Sequence, residues 1–167
     1  LFNNAASPRF APVPQMSVED WDFTIRHELS IVFYATKFAW PFLAKRGGVI
    51  ISTASTAGHT ASRGNGMAAH CAAKGGVLAL SRVFACDGAE QGIRSVTISP
   101  GGIRTPELEK NFLNKVPNAE NLLLSMMLSK RIGESEDVAG LAVYLASDEA
   151  AFLTGVDILV DGGMTAI

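Results

Sequence analysis

The chain has 167 residues, 48% of them hydrophobic but only 8% aromatic, with 18% charged and a formal net charge of −2. That length makes one domain whose core is aliphatic rather than aromatic, and that charge leaves no electrostatic footprint for nucleic acid or an anionic membrane. The longest apolar run, Leu29–Leu43, is interrupted by Lys37 and contains Pro41; it is too short to span a bilayer and reads as a buried helix.

Leu1-Phe2-Asn3-Asn4 reads as the tail of a strand entering a turn. Ser17-Val18-Glu19-Asp20 is a capping box, with Ser17 accepting from the Asp20 N–H and the Asp20 side chain reaching back. A long helix is expected over Val18–Lys45, kinked or ended by Pro41 and stopped at Arg46-Gly47-Gly48. Val49–Ser52 is a short apolar run bounded by glycine and small polar residues, hence a buried strand. Ser52–Asn65 is rich in Ser, Thr, Ala and Gly and reads as a loop. Met67–Glu90 has helical apolar spacing, and Ile93–Ile98 is a second buried strand ending at Ser99-Pro100-Gly101-Gly102. Pro106 to Ser129 reads as helical and broken by Pro117; Ser135 is expected to cap a helix over Glu136–Ala146; Val156–Val160 is a last strand before Asp161-Gly162-Gly163.

Alternating strands and helices predict an α/β domain with a parallel sheet and right-handed crossovers. The strands are continuous apolar runs, as parallel strands buried on both faces are. Ligands of such sheets bind beyond the carboxyl ends of the strands. The polar stretches Asn3–Ala6, Ser52–Asn65 and Pro100–Thr105 are therefore expected to gather along one edge. Cys71 and Cys86 lie fifteen residues apart on one expected helix, a poor disulfide pair that fits a reducing, cytoplasmic setting.

Ser55 follows a strand, and His70 and Lys74 lie on the next helix at a spacing of i, i+4, which puts both side chains on one helix face. A hydroxyl, an imidazole and an ammonium thus converge on one crevice. Taken singly, each has an ordinary structural reading: a loop serine, a hydrogen-bonded histidine, a solvated lysine. His27, His59 and His70 have no metal-ligand spacing with the cysteines. The sequence contains no G-x-S-x-G elbow, and no G-x-G-x-x-G phosphate loop follows a strand.

These residues resemble the short-chain dehydrogenase/reductase family, over its C-terminal two thirds. Asn3-Asn4-Ala5-Ala6 is similar to the family's N-N-A-G. Ile51-Ser52-Thr53-Ala54-Ser55 resembles the segment that holds the catalytic serine. His70-Cys71-Ala72-Ala73-Lys74 matches Y-x-x-x-K with histidine for tyrosine. Pro100-Gly101-Gly102-Ile103-Arg104-Thr105 is similar to P-G-x-I-x-T, and Asp137-Val138-Ala139, Tyr144–Asp148, Thr154-Gly155 and Val160–Gly163 follow the family's closing segment. The resemblance implies a three-layer, Rossmann-type parallel sheet with helices on both faces, lacking the family's N-terminal strands. It implies an NAD- or NADP-dependent oxidoreductase of secondary alcohols and ketones. Ser55, His70 and Lys74 would be catalytic, together with Glu28 at the position of the family's relay asparagine, and Asn4, Ala5, Lys74, Pro100, Gly101, Ile103 and Thr105 would line the cofactor.

Three departures bear on that implication. The family's T-G-x-x-x-G-x-G loop is absent, so this chain is not expected to grip a dinucleotide unaided. Leu1-Phe2 would also form a bared edge, expected to be covered by a partner or an upstream segment. His70 replaces tyrosine: an adjacent ammonium disfavours a second positive charge, so a neutral imidazole is expected, a fair base and a weak acid. The shorter side chain also misplaces the reacting atom, which can cost about 100-fold. Glu28 stands where the family has asparagine; it would either pair with Lys74 or face solvent or a subunit contact. A non-catalytic structural or regulatory subunit, and a non-redox enzyme with His70 as base, are alternatives to the oxidoreductase. The family's dimer helices correspond to residues 18–45 and 67–90, so a homo-oligomer is expected.

Overall fold

The computed structural model describes residues 1–61 and 66–166; residues 62–65 of the expected loop lie outside that set. Four parallel strands form one sheet in the order β1 (Phe2–Asn3), β2 (Gly48–Thr53), β3 (Ile93–Pro100), β4 (Asp157–Val160). β2 pairs with β3 in register from Gly48↔Ile93 to Thr53↔Ile98, and β1 adds Phe2↔Ile51 and Asn3↔Ser52.

Successive side chains of a strand face opposite sides of a sheet, and here each side has its own core. Ile50 and Ile93 pack with Val32, Val77, Leu78 and Phe84. Ile51, Val96 and Ile98 pack with Leu145 and Ala150, with Val138 and Leu141 around them. The first set brings α2 (Ile31–Leu43) and α3 (Ala68–Gly88) onto one face, and the second brings α6 (Ser135–Ala146) onto the other. The domain is therefore three-layered, with helices on both faces as expected.

One expectation is corrected by this arrangement. The strands run β1 to β4 in order across the sheet, so each connection steps the same way. The first two connections cross on one face and the third crosses on the other. Three connections built that way cannot share one hand; the last is opposite to the first two. The long span between Pro100 and Asp157 allows it. The usual right-handed preference reflects a short crossover packing straight back on its own face.

Helix boundaries differ from expectation in four places. The long N-terminal helix is α1 (Val18–Ile25), a π turn (Arg26–Ser30) and α2, which runs through Pro41 and ends at Leu43. The capping box at Ser17 is half-formed: its oxygen accepts from the Asp20 N–H, but it donates its own proton to the Asp20 carboxylate. The stretch after Pro106 splits into α4 (Pro106–Leu108), a π turn (Glu109–Leu113) and α5 (Ala119–Ser125), with Asn118 at φ 58° between them. Glu134, not Ser135, caps α6, because Glu134 and Asp137 satisfy each other's backbone N–H groups. Among the described residues no helix is long and apolar enough to cross a membrane.

Candidate active site

The carboxyl ends of β1, β2 and β3 meet as the sheet pattern requires. Thr53 Oγ1 donates to Asn4 Oδ1 at 2.8 Å, and the Ala54 N–H donates to the Ile98 carbonyl at 2.8 Å. Ser55 then opens a tight turn, Thr56–Gly58, and its oxygen accepts from the Ala57 N–H at 3.1 Å. That turn lies directly on α3: a Cβ on Gly58 would stand 3.1 Å from the Lys74 carbonyl carbon and 3.2 Å from the Gly75 nitrogen. Only a residue without a side chain lets the serine-bearing turn come so close to the helix.

Lys74 is 5% exposed and reaches the end of β2, where Nζ donates to the Thr53 carbonyl at 2.9 Å. Burial pushes its ammonium below the ordinary lysine range, and the charge of Glu28 works in the opposite direction. The bland reading of a solvated lysine is thereby excluded.

Glu28 is 2% exposed. It neither faces solvent nor pairs with Lys74 alone. Its Oε2 lies 2.6 Å from His70 Nδ1, and its Oε1 lies 3.9 Å from Lys74 Nζ. The expectation that the ammonium is the charge that governs His70 is corrected: the nearest charged group to the imidazole is a carboxylate. Glu28 lies in the π turn Arg26–Ser30, of whose residues it alone is buried. That turn and α3 meet at Gly76, where a Cβ would stand 2.8 Å from Leu29 Cδ2 and push that side chain aside. Phe10 meets the His70 ring edge-on at 5.7 Å. Arg9 holds that segment on the helix, its N–H on Thr24 Oγ1 at 2.9 Å and its guanidinium 4.4 Å from the Phe23 ring centroid.

Glu28, His70 and Lys74 are thus joined directly, and Ser55 stands two residues beyond the carbonyl that Lys74 grips. Asn4 is tied to the same strand end, and Ala5 follows in an exposed segment. Pro100 ends β3, and the Gly101 N–H donates to the Val160 carbonyl at 3.0 Å. Ile103 bridges to Gly133, while Thr105 caps α4 by accepting from the Leu108 N–H at 3.2 Å. No hydrogen bond or ion pair joins Pro100–Thr105 to the Glu28 cluster among the described residues.

Two clusters escaped the sequence. Asp157 Oδ2 lies 2.8 Å from His59 Nε2, and Asp157 Oδ1 accepts from Ser99 Oγ at 2.9 Å. Arg104 is ringed by Glu109, Glu120 and Glu134. Neither follows a local spacing; the register of β3 with β4 was the one signal that could have placed Asp157 near Ser99.

A parallel sheet, helices on both faces and a polar cluster at the strand ends define a Rossmann-like α/β domain. The family described as enoyl-(acyl carrier protein) reductase matches residues 1–165. The chain is 37% identical, over its full length and 73% of the relative, to the inactive 2-(S)-hydroxypropyl-CoM dehydrogenase 2 of Xanthobacter autotrophicus. It is 34% identical to the meso-2,3-butanediol dehydrogenase of Serratia marcescens, covering 99% of this chain and 64% of that one. The crystal structure of an oxidoreductase of the short chain dehydrogenase/reductase family from Burkholderia thailandensis superposes with a TM-score of 0.92 at 25% identity, covering 99% of this chain and 64% of that one. The chain belongs to the short-chain dehydrogenase/reductase family, and it spans about two thirds of the length of these relatives.

Proposed function

We propose that this chain carries the catalytic portion of an NAD(P)-dependent oxidoreductase that interconverts a secondary alcohol and a ketone. One observation carries the reading: a buried Lys74 is pinned to the end of β2, one helical turn from His70 and beside the turn that starts at Ser55. In this reading Ser55 holds the substrate oxygen and His70 takes or returns its proton. Lys74 has one proton on the Thr53 carbonyl and two further N–H donors for the ribose hydroxyls of the cofactor. The residues present fit the nicotinamide end of the dinucleotide, with Asn4, Ala5, Pro100, Gly101, Ile103 and Thr105 along the strand ends. They include no glycine-rich phosphate cradle. The bound cofactor supplies hydride acceptance and donation. Titration with NADH and NADPH, followed by nicotinamide fluorescence, tests this; absence of binding refutes it. Where binding occurs, His70→Tyr decides between a damaged site, in which turnover rises, and a working histidine, in which turnover falls.

A second reading is a non-catalytic subunit. It is favoured by the buried bond between His70 and Glu28, which replaces two residues of the family's proton path at once. Its expected signature is no turnover in any variant. Both readings include assembly. Phe38 and Phe42 of α2 are 73% and 72% exposed and, with Phe33 and Tyr34, form an apolar helix face that a second copy would cover. The half-exposed Leu1 and Phe2 mark an edge for another strand, from a partner or an upstream segment. Light scattering of the purified chain measures the first. Two free cysteines, one of them exposed, fit a reducing cytoplasm.

A further inference from the structure

We infer that Glu28 is a positioning residue that locks His70 in one tautomer and makes its Nε2 the base that receives a hydroxyl proton. This rests on the oxidoreductase reading and deepens it. A carboxylate only accepts hydrogen bonds, so an oxygen 2.6 Å from His70 Nδ1 requires the proton to sit on Nδ1. A neutral imidazole carries one proton, and Nε2 is then left with its lone pair. The orientation is fixed from three sides: Oε2 holds Nδ1, the Phe10 ring meets the imidazole edge-on, and the helix holds the backbone.

The second oxygen of Glu28 makes the lock durable. Oε1 faces Lys74 Nζ at 3.9 Å, so the carboxylate has a cation beside it before the imidazole gains any charge. A buried carboxylate without such a neighbour would tend to take up a proton and lose its acceptor role. The charged groups that face the imidazole are therefore Glu28 from the π turn and Lys74 from its own helix; Arg9, behind Phe10, is engaged with the Phe23 ring.

The step balances as follows. The substrate O–H bond breaks and its proton forms a bond to Nε2. The carbinol C–H bond breaks and its hydrogen leaves with both electrons to an oxidised nicotinamide dinucleotide, which is reduced. The carbon–oxygen double bond closes, and His70 is left as an imidazolium whose Nδ1–H still points at Glu28. Ketone reduction is the same step reversed, with Nε2 returning the proton while Nδ1–H stays on Glu28. The same logic, a carboxylate holding an imidazole so that its far nitrogen works, recurs in hydrolases on unrelated folds.

The test uses protein labelled with nitrogen-15 at histidine, whose imidazole shifts report which nitrogen bears the proton. His27→Gln and His59→Gln identify the other two rings. The expected result is an Nδ1–H signal for His70 in the wild type that turns into Nε2–H or a mixture in Glu28→Gln, where the amide can donate to Nδ1. In the same variant kcat for alcohol oxidation falls on the order of 100-fold while KM changes little. A wild-type His70 protonated on Nε2, or a Glu28→Gln protein with tautomer and kcat unchanged, overturns the inference. A locked tautomer in a wild type that turns over no alcohol strikes the oxidoreductase reading and leaves the role of Glu28 intact.

Discussion

Two histidine–carboxylate pairs lie on the α3 side of the sheet, and they are wired in opposite ways. Glu28 engages His70 through Nδ1 and spends its second oxygen on an ammonium. Asp157 engages His59 through Nε2 and spends its second oxygen on the hydroxyl of Ser99. The second cluster has a serine, a histidine and an aspartate, yet its serine already donates to the aspartate, and its oxygen is 3.5 Å from the histidine nitrogen. It is a strut that ties the turn after β2 to β4. Residue types alone do not distinguish a strut from a base; the direction of each donor does.

The largest contrast is expected in stability. Glu28→Ala leaves a buried ammonium with one carbonyl for company and costs about 3–5 kcal/mol in urea unfolding. Adding Lys74→Met to that variant should restore most of the loss; an unrestored double variant would mean that Glu28 and Lys74 do not act as a pair. Asp157→Ala leaves the fully buried Ser99 hydroxyl with only the longer His59 contact and should cost about 1–3 kcal/mol, with turnover unchanged. A fall in turnover with the strut variant as large as with Glu28→Gln would erase the distinction.

A smaller effect sharpens it through pH. Lys74 has a lowered value when folded, chiefly from burial, and the ordinary value of 10.5 when unfolded. Between those two the unfolded chain binds more protons, so stability rises with pH across that alkaline window and the penalty remains in full below it. Melting temperatures of Glu28→Ala and of Glu28→Ala combined with Lys74→Met should converge toward pH 10.5. Parallel curves would place the lysine in water.

The strands and the crevice were legible because buried parallel strands write themselves as apolar runs between small polar residues. The faces of the helices were less so. Nothing in the sequence says that the helix loosens into a π turn over Arg26–Ser30, the turn that holds the buried Glu28. The same kind of tertiary choice moved the α6 cap from Ser135 to Glu134: Asp137, held below the usual carboxylate range by Arg131 and then by the Glu134 N–H, draws the chain end one residue outward. The hand of the last crossover depends on which core α6 joins, a fact spread over β2, β3 and the helix rather than held in any segment. The bond between Glu28 and His70 spans forty-two residues and has no spacing rule to announce it.

The loop leaving β3 and the loop leaving β4 are stapled to one another. Gly133 donates to the Gly102 carbonyl and accepts from the Arg104 N–H, and Ser129 donates to the Gly162 carbonyl. Any swing of the stretch that carries α4 and α5 must therefore pivot inside Thr105 and Ser129, not at the sheet. Arg104, paired with Glu109 and Glu120, and the cluster of Leu123, Met127 and Ile132 fasten that stretch to its posts as well, so a guest on that side would meet a braced wall.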